Sequence, residues 1–383
     1  MSPFPLLLGG DVMVGRGVDQ ILAYPSPPGL HEPHVDSART YVTLAEERGG
    51  PMPRAVDDAY LWGTLLEDFT RSPDQVTVVN LETALTTSEE FSPEKEIHYR
   101  TDPRNIGCLR AARIGCCSLA NNHVLDWGVE GLLETLSSLD RAGLHHAGAG
   151  RTLEEASRPA VIERASGGRV LVFGIGSRTS GIPSSWAAGP ARPGLFLLDA
   201  SPAFVDDLGG TVRRQRRPGD VTVASIHWGG NWGFDLPEAQ RAFAHRLVDE
   251  AGIDVVHGHS SHHPMGIEVY HGRLVLYGCG DLLNDYEGIG GHDEFRPHVG
   301  VLYRASVDPS SGRLVELSLK AVTRRRFQLQ PASGDDLRWL ANLLDREGRS
   351  LGTHTEGPRD VELIVVWPSS VGPAGGPRDA HRG

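Results

Sequence analysis

A chain of 383 residues is long enough to bury a sizeable core, as two or three domains or as one large α/β unit. Its 37 basic and 49 acidic side chains leave a formal charge of −12, which argues against nucleic acid as a partner, because polyanion binding draws on clustered Lys and Arg. No window approaches the roughly 20 apolar residues that span a bilayer, and "MSPFPLLLGGD" has no basic leader, so the expectation is a cytoplasmic protein with no membrane partner.

Apolar, β-branched runs recur along the chain, and each stops abruptly at polar residues: "PLLLGGD" (5–11), "VTVVNLE" (76–82) and "IGCCSLANNH" (114–123). This is the pattern of buried strands. A helix follows in "VEGLLETLSSLDRAG" (129–143), where Leu132, Leu136 and Leu139 share a face and Gly143 suits a C-cap. The strand pattern returns in "RVLVFGIGS" (169–177), "VTVASIHWGG" (221–230), "IDVVHGHSSHH" (253–263) and "RLVLYGCGD" (273–281). The basic run "VRRQRR" (212–217) reads as a solvated helix face. "PEAQRAFAHRLVDEAG" (237–252) predicts a helix with Pro237 at its first position and Gly252 past its end.

Four further runs, "HVGVLYRASVD", "RLVELSLKAV", "RRFQLQPAS" and "VELIVVW", predict strands, with a helix in "GDDLRWLANLLDREGRSL". The fold class expected is α/β, one domain over 1–367 with two packed sheets between helix layers. The Pro- and Gly-rich stretch 368–383 predicts a disordered tail. Cys108, Cys116, Cys117 and Cys279 lack zinc-finger spacing and read as buried thiols.

In open α/β sheets, ligands gather beyond the carboxyl ends of the strands. Those ends supply Asp11, Glu82, Asn122, His123, His227, His259 and His262. Carboxylate, carboxamide and imidazole without thiolate suit a hard or borderline divalent cation: Mg, Ca, Mn, Fe or Zn. "HGHSSHHP" (257–264) packs four histidines into eight residues. His259 and His262 are expected to face the cation, with His257 or His263 supporting them.

The motifs "GDVMVGRG", "NLETALT", "ANNHVLDWG", "SIHWGGNW" and "GHSSHHPMGIEVYHGRLVLYGCGD", across roughly residues 5–305, resemble those of the CapA family, the capsule polyglutamate-synthesis group of calcineurin-like metallophosphatase folds. The resemblance implies a four-layer αββα sandwich with a metal site at the strand ends. It implies Asp11, Glu82, Asn122, His227 and His259 or His262 as ligands and His123 as the acid or base, with Asp126 a candidate to orient His123. Two departures stand out. Met13 occupies the third position of an Asp-x-His motif, which points to a single cation, Ca favoured over Mg, Mn and Zn, with no organic cofactor. His298 stands where relatives carry Asp and reads as an added general base.

Arg16, Tyr99 and Arg100 are candidates to clamp a carboxylate or phosphate. Trp228, with Trp127 and Trp232, is a candidate wall of an apolar substrate pocket. Within this fold the chain is similar to the lasso-peptide epimerases, which implies Cα epimerisation of the C-terminal residue of a precursor peptide, the expected partner. Two His/Asp pairs would act on opposite faces, one of His123 with Asp126 or Asp11, the other including His259 or His298, with Asp281 or Asp293 as carboxylate partners. The alternative is a metallohydrolase of amide or phosphate ester bonds, in polyglutamate processing or as a phosphoesterase. A non-enzymatic binding module is the third reading.

Overall fold

Alternation along one strand sets the layers. In Phe4–Val12, Leu6 and Leu8 enter a core with Val170, Val172, Val221 and Val223 of a second sheet, whereas Leu7 enters a separate core with Trp62, Leu132 and Leu136. Successive strand side chains point to opposite faces, so each face needs its own cover. The second sheet repeats the arrangement: Leu171, Phe173, Ala224 and Ile226 pack outward against Val205, Leu208, Ala244 and Leu247 of two helices. Three apolar interfaces thus separate four layers, helix, sheet, sheet, helix. The computed structural model describes residues 3–198, 201–359 and 362–368; apart from Pro368, the predicted tail lies outside them.

The first sheet runs His354–Arg359, Glu362–Val366, Arg313–Arg325, Val299–Asp308, Phe4–Val12, Val76–Leu81, Cys116–Ser118, His145–Ala147, with Asp281–Leu283 also paired to Phe4–Val12. The second runs Ile267–Tyr270, Arg273–Leu276, Val255–His259, Val221–His227, Arg169–Gly176, Ala160–Glu163. Phe4–Val12, Val76–Leu81 and Cys116–Ser118 are mutually parallel, as are Arg169–Gly176, Val221–His227 and Val255–His259. Their carboxyl ends meet at one rim.

The helix Gly128–Ala142 buries Leu132, Leu136 and Leu139 and ends at Gly143, whose φ of 68° is the left-handed conformation glycine adopts freely. Pro237 caps Glu238–Asp249 from outside, with ψ 136°, instead of opening the helix as its first residue. The run 114–123 forms a strand only over Cys116–Ser118; the polar residues after it turn away from the sheet toward the rim. All four cysteines are free and buried. Among the described residues, no helix is long and apolar enough to cross a membrane.

Candidate metal centre

Strand register gathers the site. Asp11 is paired in parallel register to Asn80 on one side and to Asp281 on the other, and His227 is paired to His259 in the second sheet. A close backbone approach makes the Asp281 pairing possible: a Cβ on Gly10 would lie 1.7 Å from the Gly280 carbonyl oxygen. Asp11 Oδ1 accepts a hydrogen bond from Asn80 Nδ2 (2.8 Å), and Oδ2 accepts one from the Ser260 amide (3.3 Å). The same Asn80 amide donates to Glu82 Oε2 (2.9 Å).

The Nδ1 atoms of His227 and His259 lie 2.9 Å apart, and His259 Nδ1 is 3.8 Å from Asp11 Oδ1. His227 Nε2 is 2.9 Å from Asn122 Oδ1 and 3.9 Å from Glu82 Oε1. On the other side of Asp11, His262 Nδ1 is 2.9 Å from Asp281 Oδ1, while Asn284 donates to Asp281 Oδ2 (2.6 Å). Two buried ligand groups therefore share Asp11: Asp11, His227 and His259, and Asp11, His262 and Asp281, the ligand atoms in each within 4.8 Å of one another. Asn122 and Glu82 flank the first. Met13 does lack an imidazole, yet the Asp281 carboxylate and His262 furnish a second group that shares Asp11.

Burial, reinforced by Asp281, pushes the Asp11 carboxyl up to about 7, and burial with Asp11 pushes Glu82 well above the usual carboxylate range. Burial drives His227 and His259 well down, toward neutral imidazoles. Burial opposes the charge on His262, but the Asp281 carboxylate holds its pKa above the ordinary value. Carboxylates this close strain against one another for want of positive charge. Neutral imidazoles whose nitrogens converge on those carboxylates form a donor set that fits a divalent cation.

His123 stands beside this cluster. Its Nδ1 is 2.6 Å from Asp126 Oδ2, and its Nε2 is 3.7 Å from Glu82 Oε1. Asp126 Oδ2 also accepts from the Tyr99 amide (2.7 Å), which fixes the carboxylate. Asn121 sets the turn: its Oδ1 accepts from the amides of His123 and Val124 (3.1 and 3.0 Å), and its Nδ2 donates to Asn80 Oδ1 and the Leu81 carbonyl. Asn80 and Asn284 are not among the residues the sequence singles out. The signal for Asn80 lay in "NLE", because residues two apart on a strand share a face.

His257 and His263 support the loop. His257 reaches Ser225 Oγ (3.0 Å) and the Gly9 carbonyl (2.9 Å), and Ser225 Oγ also meets His259 Nε2 (3.0 Å). His263 Nδ1 meets the Pro264 carbonyl.

Five candidates lie elsewhere. Arg16 is buried, with four hydrogen bonds from its guanidinium to Asp285, Glu32 and Tyr41, which make it a structural ion pair and not an open clamp. Arg100 is spent on the Ser88 carbonyl and Glu89 and lies over the Trp127 ring, 3.8 Å to its centre. Trp228 is buried in the outer core, where its indole N–H donates to the Tyr277 carbonyl (2.8 Å). His298 pairs with Asp336 (3.0 Å) at the start of the Gly334–Gly348 helix, outside both ligand groups. Asp293, among the possible carboxylate partners, likewise belongs to neither group. Tyr99 differs: it is buried edge-on to His123, ring centres 4.8 Å apart, with no hydrogen-bond partner for its hydroxyl among the described residues. Trp232 sits over His262 (5.2 Å) and stacks on His292.

A four-layer α/β sandwich with buried carboxylates and imidazoles at its strand ends defines a protein of the calcineurin-like fold with a candidate metal site. The family model "Bacterial capsule synthesis protein PGA_cap" matches residues 5–286. The chain belongs to this family of capsule-synthesis, CapA-type proteins. It is 46% identical over 363 residues to a "probable polyglutamine synthesis accessory protein" of Mycobacterium tuberculosis, covering 94% of this chain and 95% of the relative. It is 27% identical over 277 residues to the "PGA biosynthesis protein CapA" of Bacillus subtilis, covering 72% and 62%.

Proposed function

We propose that the chain is a metal-dependent accessory enzyme of polyglutamyl-chain synthesis that hydrolyses amide bonds in the polymer. The observation that carries the reading is the His123–Asp126 pair, whose free Nε2 faces Glu82 beside the two ligand groups that share Asp11. Asp11, His227 and His259 would hold one cation, and Asp11, His262 and Asp281 a second. Three imidazoles favour Mn or Zn over Ca, which takes oxygen ligands. Such ions supply Lewis acidity toward an amide carbonyl and toward water.

The chain's own residues do the rest. Asp126 keeps the Nδ1 proton of His123 in place, which leaves Nε2 to take a proton from water and deliver it to the departing amide nitrogen. Tyr99, edge-on to the same ring, restricts its rotation. Water adds to the carbonyl, the C–N bond breaks, and a carboxylate and an amine leave.

Epimerisation needs a second base on the opposite face of a Cα. His298, read from sequence for that role, is turned to Asp336, and the relatives carry the names of polyglutamine and PGA synthesis. The first weighs against epimerisation, and the second points to a polyglutamyl polymer as the substrate. The test is incubation of Mn-loaded protein with γ- and α-linked oligoglutamates in deuterated water. New amino termini with the wild type and none with His123→Ala support the reading. Deuterium at Cα without new termini overturns it in favour of epimerisation, and phosphate release from a phosphomonoester with no amide cleavage makes the chain a phosphoesterase.

A further inference from the structure

Among the described residues the buried arginines are Arg16, Arg100, Arg164, Arg169 and Arg324. The first four each pair with a carboxylate: Arg16 with Asp285 and Glu32, Arg100 with Glu89, Arg164 with Asp74, and Arg169 with Asp220. Arg324 forms no such pair among the described residues. Its Nη1 donates to the carbonyls of Asp281 (2.6 Å) and Leu282 (3.3 Å) and its Nη2 to that of Pro297, while its Nε is buried with no acceptor. Carbonyl dipoles lower the cost of burying a guanidinium but leave its charge uncompensated, and an anion placed against it removes that cost.

Arg324 lines a cavity of about 40 Å³, enough for about three waters or the head of one carboxylate. The cavity lies against the second ligand group. Asn284, on its wall, donates to Asp281 Oδ2 (2.6 Å), and the Tyr286 ring, also on its wall, stands edge-on to His262 with 5.3 Å between ring centres. Arg48 brings a second guanidinium from the last turn of the Arg39–Gly49 helix; it is exposed and forms no ion pair among the described residues. Two acids share the wall, but neither forms an ion pair with either guanidinium: Glu287 Oε2 accepts from the Phe327 amide (3.3 Å), and Asp293 is exposed. His298, turned to Asp336, also lines the cavity.

We propose that this cavity is a carboxylate-binding subsite, anchored by Arg324 and Arg48, that takes a free carboxylate of the substrate chain beside the His262–Asp281 group. The planar donor fork of arginine matches a carboxylate, and Nε is the donor that Arg324 has left unused. Every residue of a γ-linked polyglutamate offers such a group. This rests on the polyglutamyl reading of the site but is tested by binding alone.

The probes are a fluorescent γ-linked oligoglutamate and the same oligomer with its carboxylates amidated, titrated by anisotropy into the full Mn-loaded chain. Loss of one charge-assisted contact is expected to weaken oligoglutamate binding about tenfold in Arg324→Gln and in Arg48→Glu, with manganese content unchanged by elemental analysis. The amidated oligomer should not distinguish these variants from the wild type. Arg213→Glu, a charge reversal at an exposed position of the Pro202–Gln215 helix, should bind oligoglutamate as the wild type does. Because Arg324 also ties three carbonyls, Arg48→Glu decides where Arg324→Gln does not fold or loses manganese. Unchanged affinity in either folded, metal-loaded variant, equal weakening in Arg213→Glu, no binding by the wild type, or no preference for the charged oligomer overturns the proposal. Binding that depends on Arg324 and Arg48 without any amide cleavage would leave this subsite standing and remove the hydrolytic reading.

Discussion

Replacing Asp11 by Asn should stabilise the metal-free protein while destroying its response to metal. Burial and Asp281 raise the Asp11 carboxyl from 3.8 to about 7, so the folded state holds its proton more tightly than the unfolded chain does. Stability is then lost as pH rises from about 4 to 7, and the full cost stands above 7. A difference of about 3 pKa units is worth about 4 kcal/mol at pH 8. Asn removes that charge but turns an NH2 toward either Asn80 Nδ2 or the Ser260 amide, a mismatch of about 1 kcal/mol.

The net gain of about 3 kcal/mol, set against an unfolding entropy of about 0.8 kcal/mol per degree for a chain of this size, raises the melting temperature by about 4 °C. Scanning calorimetry in EDTA at pH 8 and at pH 4 measures it, and the gap should close at the lower pH. Manganese at a hundred times its dissociation constant should add about 2.7 kcal/mol, or about 3 °C, to the wild type and nothing to Asp11→Asn. A variant that melts below the wild type in EDTA at pH 8, or that manganese stabilises equally, refutes the reasoning.

His123→Ala should lower amide hydrolysis by roughly 10²–10⁴-fold, with metal content by elemental analysis unchanged, because His123 belongs to neither ligand group. Asp281→Asn should lower the metal bound per chain from two ions toward one, since it disables the Asp11, His262 and Asp281 group alone; equilibrium dialysis against manganese reads the stoichiometry. Manganese affinity should rise with pH to about 7 and then level, as the Asp11 carboxyl, held at about 7 by burial, gives up its proton. Isothermal titrations between pH 5.5 and 8.5 in two buffers of different ionisation heat would count that proton. Trp228→Phe should cost stability, about 1–3 kcal/mol for an orphaned Tyr277 carbonyl, but leave oligoglutamate affinity unchanged in the same anisotropy assay.

The strand ends were legible because a buried run that stops at a polar residue marks both the sheet and the rim where ligands gather. Asp11, His227 and His259 follow from that rule alone. The pairing of Asp281 with Asp11 was not legible, since it joins strands 270 residues apart in register and depends on two glycines that let backbones touch. Arg16 failed as a clamp for the same reason: Asp285 and Glu32 reach it through folding, and no local pattern announces them. His298 was drawn off by Asp336, a helix-start acid far along the chain. Trp228 was readable in principle. Alternation sends the neighbour of His227 to the opposite face, into the core.

Manganese-edge anomalous diffraction from crystals of the metal-loaded protein shows whether Asp11 holds a cation. Density is expected within coordination distance of Asp11 and of the His227 and His259 rings, with a second peak between His262 and Asp281. Ordered side chains with no anomalous peak at Asp11 would contradict it.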